Sequence, residues 1–95
     1  MSQVIEKAVE QLNAKVGGSY DGTAKFVIEG EGTIMLDGAG ARAADEEADV
    51  TLTASVETFQ GMLEGDVNPT MAFMSGKLKI DGSMGQAMKL ASVLG

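Results

Sequence analysis

Apolar and polar positions alternate along this chain with two different periods, and the switches between them mark out its elements. Near the N-terminus Val4, Ile5, Ala8, Val9 and Leu12 recur at helical spacing, which places them on one inward stripe. Ser2 is the expected N-cap of that helix and Gly17-Gly18 its stop. The period then falls to two. Ala24, Phe26 and Ile28 alternate with Lys25, Val27 and Glu29, predicting a strand over 23–29. Glu29-Gly30-Glu31-Gly32 reads as a turn, and 33–37 as a second strand with Ile34 and Leu36 on one side. Asp37-Gly38 is a hairpin signal leading into a weak edge strand over 40–44, whose small residues and Arg42 suit an edge that must not recruit other strands. After the charged loop Asp45-Glu46-Glu47-Ala48-Asp49, residues 50–54 alternate again.

The remaining third returns to helix, strand and helix. Ser55 is the expected cap of a helix carrying Val56, Phe59 and Leu63, with Met62 beside them, and Glu64-Gly65-Asp66 breaks it. Asn68 caps a short helix that Pro69 begins, since proline fits the first helical position without losing a bond. Gly76 ends that helix, and Lys77-Leu78-Lys79-Ile80 alternates as a half-buried strand does. Ser83 opens a final helix in which Met84, Ala87, Met88 and Ala91 share a face. Across the strands, Phe26, Ile28, Ile34, Leu36, Val50, Leu52, Leu78 and Ile80 make one apolar face. The opposite face is polar apart from Val27 and Met35. A mostly antiparallel sheet follows, wet on one side and covered by helices on the other: an α+β fold.

Composition narrows the function. Ninety-five residues without a linker, repeat or low-complexity tract are expected to form a single domain, 1–95. The formal net charge of −7 argues against nucleic acid, whose phosphates need a basic face, and serves solubility. No basic amphipathic element suits an anionic membrane, and no stable membrane insertion is expected. No apolar run approaches a membrane span, the N-terminus lacks a signal peptide's apolar core, and Val-Leu-Gly at the C-terminus is no peroxisomal address. A cytoplasmic protein is the expectation. Aromatics are few, whereas methionine occurs seven times. Those flexible, polarizable side chains either fill gaps in an aromatic-poor core or adapt to variable contents.

Reactive chemistry is sparse. With no histidine and no cysteine, the usual base, nucleophile and zinc ligands are missing, and neither an enzyme nor a cofactor is expected. Glu29 and Glu31 sit among glycines in a hairpin turn, which reads as a solvated loop rather than an acid/base couple. The cluster Asp45, Glu46, Glu47 and Asp49 lacks the glycine-centred spacing of a calcium loop. Gly38-Ala39-Gly40-Ala41-Arg42-Ala43 fits a G-x-G-x-x-A string, but no helical pattern follows and the acidic run would repel a pyrophosphate.

The run Gly76-Lys77-Leu78-Lys79-Ile80-Asp81-Gly82-Ser83-Met84-Gly85-Gln86-Ala87-Met88-Lys89-Leu90, preceded by Asn68-Pro69 and Ala72-Phe73, closely resembles the C-terminal half of the sterol carrier protein-2 family of lipid carriers. The likeness continues upstream through Ala48-Asp49-Val50-Thr51-Leu52-Thr53 and Phe59-x-x-Met62-x-x-Gly65. Before Ala48 the strands match in position more than in residue identity. The resemblance implies a five-stranded sheet covered by helices, with an apolar tunnel between the layers.

On that reading Phe26, Ile28, Ile34, Leu52, Leu78 and Ile80 are expected to form the tunnel floor. Phe59, Met62, Leu63, Met71, Phe73, Met74, Met84, Ala87, Met88 and Ala91 are expected to form its walls and mouth, with the final helix best placed to open. Empty apolar volume costs about 24 cal/mol per Å³, so a vacant tunnel of a few hundred Å³ costs several kcal/mol. A ligand-free form is therefore expected to collapse in part, stay loose or retain lipid. The leading expectation is non-enzymatic binding and carriage of a fatty acid, fatty acyl-CoA, phospholipid or sterol. The alternative is an accessory module that docks on a lipid-metabolising enzyme and presents its substrate.

Overall fold

The computed structural model describes residues 3–94, so the cap expected at Ser2 lies outside the described residues. In chain order the elements are α1 (Gln3–Val16), β1 (Ala24–Ile28), β2 (Gly32–Asp37), β3 (Gly40–Ala43), β4 (Val50–Ala54), α2 (Val56–Glu64), α3 (Pro69–Met74), β5 (Leu78–Gly82) and α4 (Met84–Leu94). The five strands form one sheet in the order β3-β2-β1-β4-β5. Every pairing is antiparallel except the central one, where β1 and β4 run parallel with Phe26 opposite Leu52. That parallel step is what splits the chain into two halves: β1–β2–β3 on one side, β4–β5 on the other.

Local chemistry sets the element limits. The Asp37–Gly40 pair closes the β2–β3 hairpin, and the Ala39 N–H donates to Asp37 Oδ1 at 2.9 Å. Ser55 caps α2 by accepting from the Thr58 N–H at 3.2 Å, and Gly65 ends it. β5 runs two residues beyond the alternation at 77–80, because its ladder with β4 continues to the Val50–Gly82 pair and the Ser83 N–H donates to Asp49 O.

The four helices lie on one face of the sheet. α1 covers β3 and β2 and touches α2, whereas α4 lies over β4 and β5 with α3 beside it. Between them the inward residues of the strands are buried, Ile80 only in part, together with Ile5, Ala8 and Leu12 of α1 and Phe59, Met62 and Leu63 of α2. The Phe26 and Phe59 rings meet at 5.3 Å between centroids, tilted by 54°, in the middle of this core. On the outer face Met35 is an exception to the wet pattern, only 1 % exposed. Its register neighbours are Lys25 on one side and Arg42 on the other. Lys25 pairs with Asp45, and Arg42 with Asp37 and Glu46, so both long stems are held beside the methionine.

Candidate functional site

α3 is short, and its geometry follows from its first two residues. Asn68 Oδ1 accepts from the Thr70 and Met71 N–H groups at 2.8 and 3.2 Å, and Pro69 occupies the first turn. A helix of six residues can bury little more than one position per turn; here Pro69 and Ala72 go inward. Met71 and Met74 are left on the outer side, with Phe73 between the two environments. The chain then turns directly into β5, through a Lys77 N–H bond to the Ala72 carbonyl at 2.9 Å.

α4 is opened by Ser83, whose hydroxyl accepts from the Gln86 N–H at 3.2 Å. Its buried stripe is Ala87, Leu90 and Leu94. Met84, Met88 and Ala91 lie along the flank of that stripe, facing α3.

Between these two helices and the sheet is an apolar cavity of about 50 Å³. Leu52, Leu78 and Ile80 form its floor; Pro69, Thr70 and Phe73 close one side, and Met84, Ala87, Met88 and Ala91 the other. Its wall presents no polar surface. Three of the large apolar lining residues are also substantially open to solvent, Phe73 at 41 %, Met84 at 48 % and Met88 at 61 %. A single layer of side chains, two of them flexible thioethers, therefore separates the cavity from the outside. A groove beside Asn68 and Ser92 shares Pro69, Thr70, Met88 and Ala91 with the cavity. A second groove, at the free edge of β5, shares Phe73, Leu78 and Ile80 with it.

The structure thus brings together Leu52, Phe73, Leu78, Ile80, Met84, Ala87, Met88 and Ala91 from the expected lining. Phe26, Ile28, Ile34, Phe59, Met62 and Leu63 lie elsewhere, packed into the core. Met71 and Met74 face outward on α3. Pro69 and Thr70 join the wall although neither was expected there. The signal was the Asn68-Pro69 cap, which aims the first turn of α3 at α4. Chemistry around the cavity is spare. Among the described residues there is no group of three or more histidine, cysteine, aspartate or glutamate side chains arranged to hold a metal. The acidic loop instead supplies Asp45 and Glu46 to Lys25 and Arg42.

Comparison with known proteins places this geometry. The model of the SCP-2 sterol transfer family matches residues 3–95. Over 98 residues the chain is 42% identical to hydroxysteroid dehydrogenase-like protein 2 of Xenopus tropicalis, covering 94% of this chain and 24% of that protein. It is 37% identical over 101 residues to sterol carrier protein 2 of Homo sapiens, covering 94% of this chain and 17% of that protein. The chain therefore spans about a quarter or less of the length of these relatives. The same fold is found in the solution structure of sterol carrier protein-2 from Aedes aegypti in complex with palmitate, at a TM-score of 0.79 and 17% identity over 99% of this chain and 96% of that one. The chain belongs to the SCP-2 sterol transfer family.

Proposed function

We propose that this chain, acting as one domain over 1–95, binds a hydrophobic lipid between α3, α4 and the sheet and carries it without covalent chemistry. The observation that carries the reading is the cavity itself: apolar throughout, and roofed by Met84 and Met88, which are about half and three-fifths open to solvent. A fatty acyl chain needs a few hundred Å³, so about 50 Å³ is a collapsed site that must widen. Methionine side chains, with three soft torsions each, can swing outward at little cost. Each methylene taken from water contributes about 0.8 kcal/mol, which works against the cost of ordering the ligand. Palmitate in the Aedes aegypti relative supports the same ligand class. Among the described residues no helix is long and apolar enough to cross a membrane. Mass spectrometry of an organic extract, paired with native mass spectrometry of gently purified protein, tests the reading. One lipid per chain is the expected result. A protein that carries none and gains no thermal stability from fatty acid, acyl-CoA or sterol would overturn it, because bound ligand must stabilise.

A second reading is favoured by one observation: 94% of this chain matches 24% of a dehydrogenase-like protein. Here the domain would dock on a lipid-metabolising enzyme and present its substrate. Affinity capture that recovers such an enzyme in stoichiometric amount, with turnover of its lipid raised by added domain, would select this reading over free carriage.

A further inference from the structure

We propose that the lipid bound here carries an anionic head group and that Lys79, at the free edge of β5, receives it; this rests on the cavity being a lipid site. Each of the two grooves shares wall residues with the cavity, so a shift of those side chains as the cavity widens joins groove to cavity. These shared walls give a chain longer than the cavity two directions in which to extend. In the first the polar groups are neutral, and Asn68 Oδ1 is already occupied by the Thr70 and Met71 N–H groups. The second passes over Phe73 and Ile80 to Lys79, Thr53 and Asp81. β5 is the last strand of the sheet, so no neighbouring strand blocks the way round its edge.

Lys79 and Thr53 are register partners across β4 and β5, which sets an ammonium beside a hydroxyl on the same face. That couple offers a charge-assisted hydrogen bond and a neutral one to a carboxylate or phosphate. Among the described residues the Lys79 side chain makes no ion pair, whereas Lys25, Arg42 and Lys89 each hold a carboxylate. The chain carries a formal charge of −7, so its surface in general repels an anion, and a local cation in this groove decides the head group's place. Asp81 lies in the same groove and opposes the attraction in part.

The test measures binding of palmitate, hexadecyl phosphate and hexadecanol, each below its micellar limit, to the whole chain and to its Lys79→Gln and Asp81→Asn variants. The wild type is expected to bind the two anions about three- to fivefold more tightly than the alcohol, the range of a solvent-exposed charge pair. Lys79→Gln should bring the anions down to the alcohol's level and leave the alcohol unchanged, while Asp81→Asn should tighten the anions alone. Comparison of the carboxylate and phosphate arms tells a free fatty acid from a phosphate-headed lipid. Equal binding of all three ligands by the wild type, or an anion preference that survives Lys79→Gln, overturns the proposal while leaving the lipid site intact. Failure of hexadecanol and the anions alike to bind overturns the lipid reading itself.

Discussion

Asn13 and Ala41 are joined twice: Asn13 Nδ2 donates to the Ala41 carbonyl at 3.1 Å, and the Ala41 N–H donates to Asn13 Oδ1 at 2.8 Å. One side-chain amide on α1 thus plays the part of a neighbouring strand for the outer edge of β3. The edge is sealed where it would otherwise offer a free donor and acceptor to a second chain. Asn13→Ala should cost about 1–3 kcal/mol, since a part-buried backbone pair loses both partners. Denaturant unfolding gives the stability, and sedimentation reports whether the bared edge now self-associates. A variant as stable as the wild type would show that water replaces the amide.

Met84→Asp and Met88→Asp separate the ligand site from the core. Both methionines are open enough to solvent that the native fold should tolerate a carboxylate there, with circular dichroism unchanged. An unpaired charge facing an acyl chain is costly, so uptake of a fluorescent fatty acid should fall at least about tenfold. Phe59→Ala makes the contrast: a buried ring packed on Phe26 is lost, and stability should drop by about 3–5 kcal/mol. Undiminished uptake by both aspartate variants would move the lipid away from the α3–α4 cavity.

Gly82 and Gly30 both have positive φ, 103° and 80°, but differ in their surroundings. A Cβ at Gly82 would collide with the Asp49 carbonyl oxygen, which belongs to rigid backbone on β4's approach, whereas one at Gly30 would meet nothing within 4 Å. Gly30→Ala should therefore cost only the left-handed backbone penalty, about 1–2 kcal/mol. Gly82→Ala should cost clearly more, and should also disturb the start of α4, because the Ser83 N–H donates to that same oxygen. Thermal melts of the two variants side by side provide the check; equal losses would contradict it.

Tyr20 is buried, and its hydroxyl finds no hydrogen-bond partner among the described residues. Burial raises its pKa above the ordinary 10.0; nearby Lys89 lowers it in part and Asp21 raises it. The native state therefore holds this proton to higher pH than the unfolded chain does. Its contribution is fully present below the unfolded pKa and is lost as pH climbs through the folded one. Tyr20→Phe removes both the orphaned hydroxyl and the titration. It should gain about 1 kcal/mol at pH 7, with a difference from wild type that widens at about pH 10.5 and above. Urea midpoints at the two pH values measure this, and a constant difference would remove burial as the cause.

Much of this fold was legible along the chain because its signals are local. The limits of β4 follow from strict alternation between an acidic loop and the Ser55 cap, and those of α3 from Asn68-Pro69. The inward faces of β1, β2, β4 and β5 follow from a period of two. Alternation names a side of the sheet, however, and not a neighbour: nothing local makes β1 and β4 adjacent and parallel. Nor does it say which helix covers which strand. Phe26 and Leu52 are register partners on the same face, yet Phe26 packs under Phe59 in the core whereas Leu52 lies on the floor of the cavity. That difference arises only when α1 and α2 settle over one half of the sheet and α3 and α4 over the other. The sequence by itself determined element type, caps and facing, which depend on neighbours a few residues apart. Tertiary structure decided strand order, the burial of Met35 between Lys25 and Arg42, and the division of the apolar face into core and cavity, because each depends on residues brought together from distant parts of the chain.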